Sequence, residues 1–184
     1  MQQHIAIPQA LVRATYIFQT STIRQQWQHR SIASRGSICE ISFRVVNLRA
    51  AFENGEITDP RVIRETALEI DADLETWRAG APTKWRYSTN LVTDALVGTC
   101  FEGKCHVYPN FWVAHVWNNW RTLRILVNQI IVQNELRSSA PDNAQKSIAI
   151  SIIRQFSTEL CTSTSSFIGT SRKNSILLKA PMHS

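Results

Sequence analysis

The stretch YPNFWVAHVWNNWRTLRILVNQIIVQ, residues 108–133, sets three of the chain's six tryptophans among two arginines. Aromatics interleaved with arginine can build a stacking surface for nucleic acid, or they can be one face of a buried helix. Helical geometry separates the two readings. At about 100° per residue, Val113, Val116, Trp117, Trp120, Leu123, Val127, Ile130 and Ile131 share one broad arc. His115, Asn118, Asn119, Thr122, Gln129 and Gln133 gather opposite. The spacing therefore predicts a core helix from about residue 111 to 136, not a strand-tracking platform.

Arg124 falls in the middle of the apolar arc. A guanidinium there must snorkel or meet carboxylates, because an unpaired buried charge costs several kcal/mol. The carboxylates come from EITDPRVIRETALEIDADLETWRAGAP, which has the best helix punctuation in the chain. Asp59 is a natural N-cap and Pro60 fits the first helical position, while Gly80 and Pro82 close the helix. Val62, Ile63, Ala67, Ile70, Leu74 and Trp77 form its apolar face. Glu65, Glu69, Asp71, Asp73 and Glu75 occupy the other side, where a solvated helix face is the plain reading and a metal or acid–base cluster the sharper one. Asp71, next to Ile70 and one turn before Leu74, is the preferred partner of Arg124. Trp77, Trp112, Trp117, Trp120, Arg124 and Asp71 are thus the expected core anchors.

Two more helices are legible. Ile38, Ile41, Val45, Leu48 and Phe52 recur at helical steps over 38–53, and Asn54-Gly55 supplies a stop. Ala144, Ile148, Ile152, Phe156 and Leu160 align over 142–161. A short helix is expected near 89–100. Six glycines and six prolines in 184 residues favour helices over a many-stranded sandwich. The expected fold is all-α, an irregular multi-helix array around the tryptophan-rich core helix. One helical domain is expected over 38–169, behind a loosely organised segment 1–37 and ahead of a disordered tail 170–184.

The net charge of +6 is uneven. Residues 1–50 hold six arginines against Glu40, giving +5, residues 51–75 sum to −6, and the remainder to +7. An acidic segment between basic ones suggests internal complementarity more than a polyanion partner. The spacing of Cys39, Cys100, Cys105 and Cys161 gives no disulfide framework. Cys100, Cys105, His106 and His115 would need a second closely spaced ligand pair to resemble a structural zinc site. No nucleophile signature, phosphate loop or dinucleotide glycine pattern is present, so no enzyme activity is expected. No segment reaches the roughly 20 apolar residues of a membrane span.

Several stretches resemble a known family. L-R-A-A-F-E-N-G-E-I-T-D-P at 48–60, A-L-E-I-D-A-D-L-E-T-W at 67–77, then Pro82, Trp85 and Tyr87, and H-V-Y-P-N-F-W-V-A-H-V-W-N-N-W-R-T-L-R-I-L-V-N-Q-I-I at 106–131 carry the similarity. L-C-T-S at 160–163, ending at Gly169, extends it in weaker form. Together they resemble the C-terminal regulatory region of fungal zinc-binuclear-cluster transcription factors. The resemblance implies an all-helical regulatory domain, a nuclear location and a role in transcription regulation, with protein partners or self-association. Zinc and DNA contact would belong to a six-cysteine cluster that the four cysteines here cannot form, so no cofactor is expected in this chain. The run RKNSILLKAPMHS, where the family continues into apolar helices, suggests a truncated piece with an incompletely covered apolar face. The competing reading is a helical protein-interaction module with no transcription role.

Overall fold

The computed structural model describes residues 37–91 and 100–168. The segment expected to be loose, 1–37, lies outside them except for Ser37, and so does the tail 170–184. Four α-helices and one short two-stranded ribbon make up the described residues: α1 Ile38–Glu53, α2 Pro60–Ala79, β1 Ser88–Leu91, β2 Lys104–Val107, α3 Phe111–Arg137 and α4 Asn143–Ile168. A 3-10 turn, Thr83–Trp85, leads from α2 toward β1. The fold is all-α apart from that ribbon.

Local chemistry explains each boundary. Ser37 and Glu40 form a reciprocal capping box at the start of α1, with Ser37 N donating to Glu40 Oε2 at 2.8 Å. Asn54 caps the other end, and Gly55 follows at φ 71°, a left-handed conformation glycine adopts without steric penalty. Asp59 accepts the Arg61 amide at 2.8 Å with Pro60 in the first turn of α2, and Gly80 ends it. Asn110 caps α3 by accepting the Val113 amide at 2.9 Å, and Asp142 accepts the Gln145 amide at 2.9 Å at the start of α4.

α3 is the hub, packed against α4, α2 and α1, while β2 lies against α4. Its buried positions span roughly 200° of the axis and include Arg121, Arg124, Asn128, Asn134 and Glu135 beside the apolar set, and no residue from Val116 to Glu135 is exposed. α1 contributes Ile38, Ile41, Val45, Leu48 and Phe52, and α2 contributes Ile63, Ala67, Ile70 and Leu74. Arg44 of α1 pairs with Asp73 and, at 3.9 Å, with Glu69 of α2. Arg44 thus neutralises part of the acidic face of α2.

Three expectations need correction. The helix expected near 89–100 does not form at its start, because residues 88–91 pair antiparallel with 104–107, Ser88 opposite Val107 and Leu91 opposite Lys104. A tight turn leads into β2: Glu102 and Gly103 take φ 50° and 69°, both left-handed as in a type I′ turn, and the Lys104 amide donates to the Phe101 carbonyl at 2.9 Å. Val62 is 45% exposed, so the buried stripe of α2 is narrower than its apolar sequence. On α4 the buried stripe passes through Ala149, Phe156 and Ser163, leaving Ile148 52% exposed and Ala144 exposed. The α4 face that meets α3 is thus rotated one position from the expected line. No helix of the described residues is long and apolar enough to cross a membrane.

Candidate functional site

The middle of α3 carries two buried arginines three residues apart, and each organises its own shell. Arg124 is 5% exposed and lies against the C-terminal half of α2. Its Nε stands 2.6 Å from Asp71 Oδ1 and its Nη1 meets Glu75. These are charge contacts with poorly aligned hydrogen bonds, since neither nitrogen has a partner of good hydrogen-bond geometry. Asp71 also accepts from Asn128 Nδ2 at 2.8 Å. Burial pushes the Asp71 carboxyl above its ordinary value, opposed by Arg124 and Asn128, and burial likewise lowers Arg124. Desolvation thus outweighs mutual attraction in this pair, the usual balance for a buried ion pair. The guanidinium also lies 5.7 Å from the Trp120 ring centroid and 5.1 Å from that of Phe156.

Arg121 is fully buried, and sequence reasoning missed it. It donates to Glu159 of α4 at 2.9 Å, to the Tyr108 hydroxyl at 2.9 Å and to Asn118 at 3.0 Å. Its carbon centre stacks 4.9 Å from the Tyr87 ring. Tyr108 in turn donates to Ser163 at 3.0 Å, tying the segment before α3 to the far end of α4. His106 packs 4.8 Å from Tyr87, with Nδ1 3.0 Å from the Thr89 hydroxyl across the ribbon. Burial, reinforced by the Arg121 charge, pushes His106 down to about 4. The imidazole is therefore neutral at ordinary pH.

The tryptophans form a ladder rather than one buried block. Trp112 meets Trp85 at 4.9 Å, Trp85 meets Trp77 at 6.4 Å, Trp77 meets Trp117 at 5.9 Å, and Trp117 meets Trp120 at 5.7 Å. Trp117 and Trp120 are buried, and their indole N–H groups donate at 2.8 Å to the carbonyls of Trp85 and Leu74. Trp77 is half-buried. Trp112 is not a core anchor: it sits on the first turn of α3 and is 38% exposed.

The C-terminal end of α2, the segment after it, the middle of α3 and the middle of α4 surround an open cleft of about 680 Å³. Its lining includes Glu75, Arg78, Arg86, Tyr87, Trp117, Trp120, Arg124, Gln155, Phe156 and Glu159. Two sides of the arginine network therefore end on one cavity. Among the described residues no three His, Cys, Asp or Glu side chains gather as a metal site would require, and the cysteines form no disulfide. Cys105 and His106 are buried in β2.

No protein-family model, curated protein or solved structure matches the chain. Arg121, Tyr108, Tyr87 and Glu159 converge from three separate parts of the sequence. The local signal was the run Ala114, Trp117, Arg121, Asn128, Glu135, spaced by three, four and seven residues along a second buried face of α3.

Proposed function

We propose that this chain is a regulatory, non-DNA-contacting domain of the fungal six-cysteine transcription-factor type, acting in the nucleus by binding rather than by catalysis. DNA recognition and zinc would then reside in a separate segment. The similarity of residues 38–169 to that family supports the reading, most specifically the tryptophan–asparagine–arginine run at 117–124. One observation carries the non-DNA-contacting part. Trp117, Trp120, Arg121 and Arg124 are all buried, and both guanidiniums are committed to carboxylates of the same chain. Base stacking and phosphate contact need those groups at the surface.

In a mobility-shift assay the full chain should give no sequence-specific complex. A specific shift with a steep salt dependence would overturn the assignment of DNA reading to another segment. Tethered to an unrelated DNA-binding module, the chain should change the output of a reporter gene, and an inert fusion would count against a role in transcription. The second reading, a helical protein-interaction module, is favoured by Leu91, Phe111 and Trp112, which are 79%, 52% and 38% exposed. An inert reporter fusion together with a surviving protein partner would select it.

A further inference from the structure

The cleft between α2, α3 and α4 holds one charged side chain that the internal network does not use. Arg78 donates to Glu75 at 2.9 Å, Arg124 pairs with Asp71 and Glu75, and Glu159 takes hydrogen bonds from Arg121 at 2.9 Å and Gln155 at 3.0 Å. The exposed guanidinium of Arg86 has no hydrogen bond or ion pair among the described residues. Three arginines against two carboxylates on the lining leave one unit of positive charge, carried by Arg86 among the described residues. Beside Arg86, Tyr87 is half-buried, and the buried Trp117 and Phe156 line the same cavity. A volume of about 680 Å³ lies within the range of small-molecule sites.

We infer that this cleft binds a small planar aromatic carboxylate, its ring against Tyr87, Trp117 and Phe156 and its carboxylate on Arg86. A planar carboxylate matches both elements: the guanidinium fork accepts it bidentately, and an aromatic ring meets the cavity edges in tilted contacts. A neutral ring would leave Arg86 in water, and a long polyanion would meet a single uncommitted cation. The site stands on the cleft alone and does not require the transcriptional reading.

The test is titration of the full-length 15N-labelled chain with 2-naphthoate and, separately, with 2-naphthamide. The indole N–H signal of Trp117 reports occupancy. 2-Naphthoate should bind saturably and about 10-fold more tightly than the amide, the scale of one charge-assisted contact. Arg86→Gln alters an exposed side chain outside the buried network and should erase that preference while leaving the amide's affinity unchanged. Gln155→Trp, which fills the cavity from the exposed side of α4, should abolish binding of both. Equal affinity of the two probes, no saturation of 2-naphthoate below about 1 mM, or a preference that survives Arg86→Gln would each overturn the assignment. So would binding that survives Gln155→Trp in a chain whose spectrum stays folded.

Discussion

Arg121 and Arg124 show how differently two cations on one helix can be housed. Arg124 keeps its charge at a desolvation cost, with Asp71 and Glu75 on one side and aromatic faces on the other. Removing it alone strands Asp71. Arg124→Met should therefore destabilise the protein by about 3 kcal/mol in urea unfolding, and adding Asp71→Asn should recover about half of that. An additive double variant would mean that the two side chains do not act as a pair. His106 provides a pH signature. Its folded pKa of about 4 lies below the ordinary value of 6.5, so the unfolded chain takes up the proton first as pH falls. The stability this represents is complete above pH 6.5 and is lost progressively down to about 4. The loss should reach about 3 kcal/mol. His106→Gln should flatten that slope in melting curves recorded across the window.

At the scale of elements, the Arg64–Glu135 ion pair joins α2 and α3 to the entry of α4. Glu135, near the end of α3, is 2% exposed and accepts from Arg64 of α2 through both oxygens, at 2.6 and 2.8 Å. It also accepts the Asp142 amide at 2.6 Å, at the entry to α4. Next to it, Asn134 donates to the Pro60 carbonyl at 2.9 Å at the entry to α2. The Arg64 hydrogen bonds hold the Glu135 carboxyl below the usual carboxylate range, so its contribution is present above about pH 4.5 and lost as pH falls through the lowered value. Glu135→Gln should cost about 3 kcal/mol, and hydrogen exchange should show the first turn of α4 opening before the middle of α3. A variant that melts like the wild type would remove Glu135 from its place as the joint. Little of this was legible in the sequence. Stripes and punctuation made α1 and α2 legible because Asn54-Gly55, Asp59 and Gly80 act locally, whereas Glu135 owes its burial to an arginine 71 positions earlier. The wheel of α3 showed one apolar arc because it sorted residues by polarity. Arg121, Asn128 and Glu135 lie on a second buried face whose polar groups are met mainly by Glu159 of α4, Tyr108, and Asp71 and Arg64 of α2. The weak segregation of polar and apolar residues around α3 was itself the mark of a helix covered on most sides. Tyr87 and Thr89, residues that suit a strand, were the overlooked signal for the ribbon.

Taken whole, the molecule spends much of its charge internally and leaves apolar groups outside. Leu136 and Ile148 are 69% and 52% exposed, and Phe43 and Val46 of α1 are 45% and 44% exposed. Apolar surface of this kind promotes association. Sedimentation velocity should show a mass that rises with concentration, and Leu136→Glu with Ile148→Glu should lower it while changing stability by less than about 1 kcal/mol. A chain that stays monomeric at high concentration would make these residues ordinary surface.

The tryptophan ladder also has an optical consequence. Indoles separated by 5.7 to 6.4 Å and inclined at 40° to 86° lie close enough for their electronic transitions to mix. Excitation will pass among Trp85, Trp77, Trp117 and Trp120 before it is emitted, so the fluorescence will be strongly depolarised even though the rings are fixed. The coupled transitions will add bands to the circular dichroism near the helix signal, and ellipticity alone will misstate the helix content of this chain. Trp117 joins Trp77 to Trp120, so a Trp117→Phe chain that still folds would keep only the Trp112, Trp85 and Trp77 part of the ladder and weaken both signatures together.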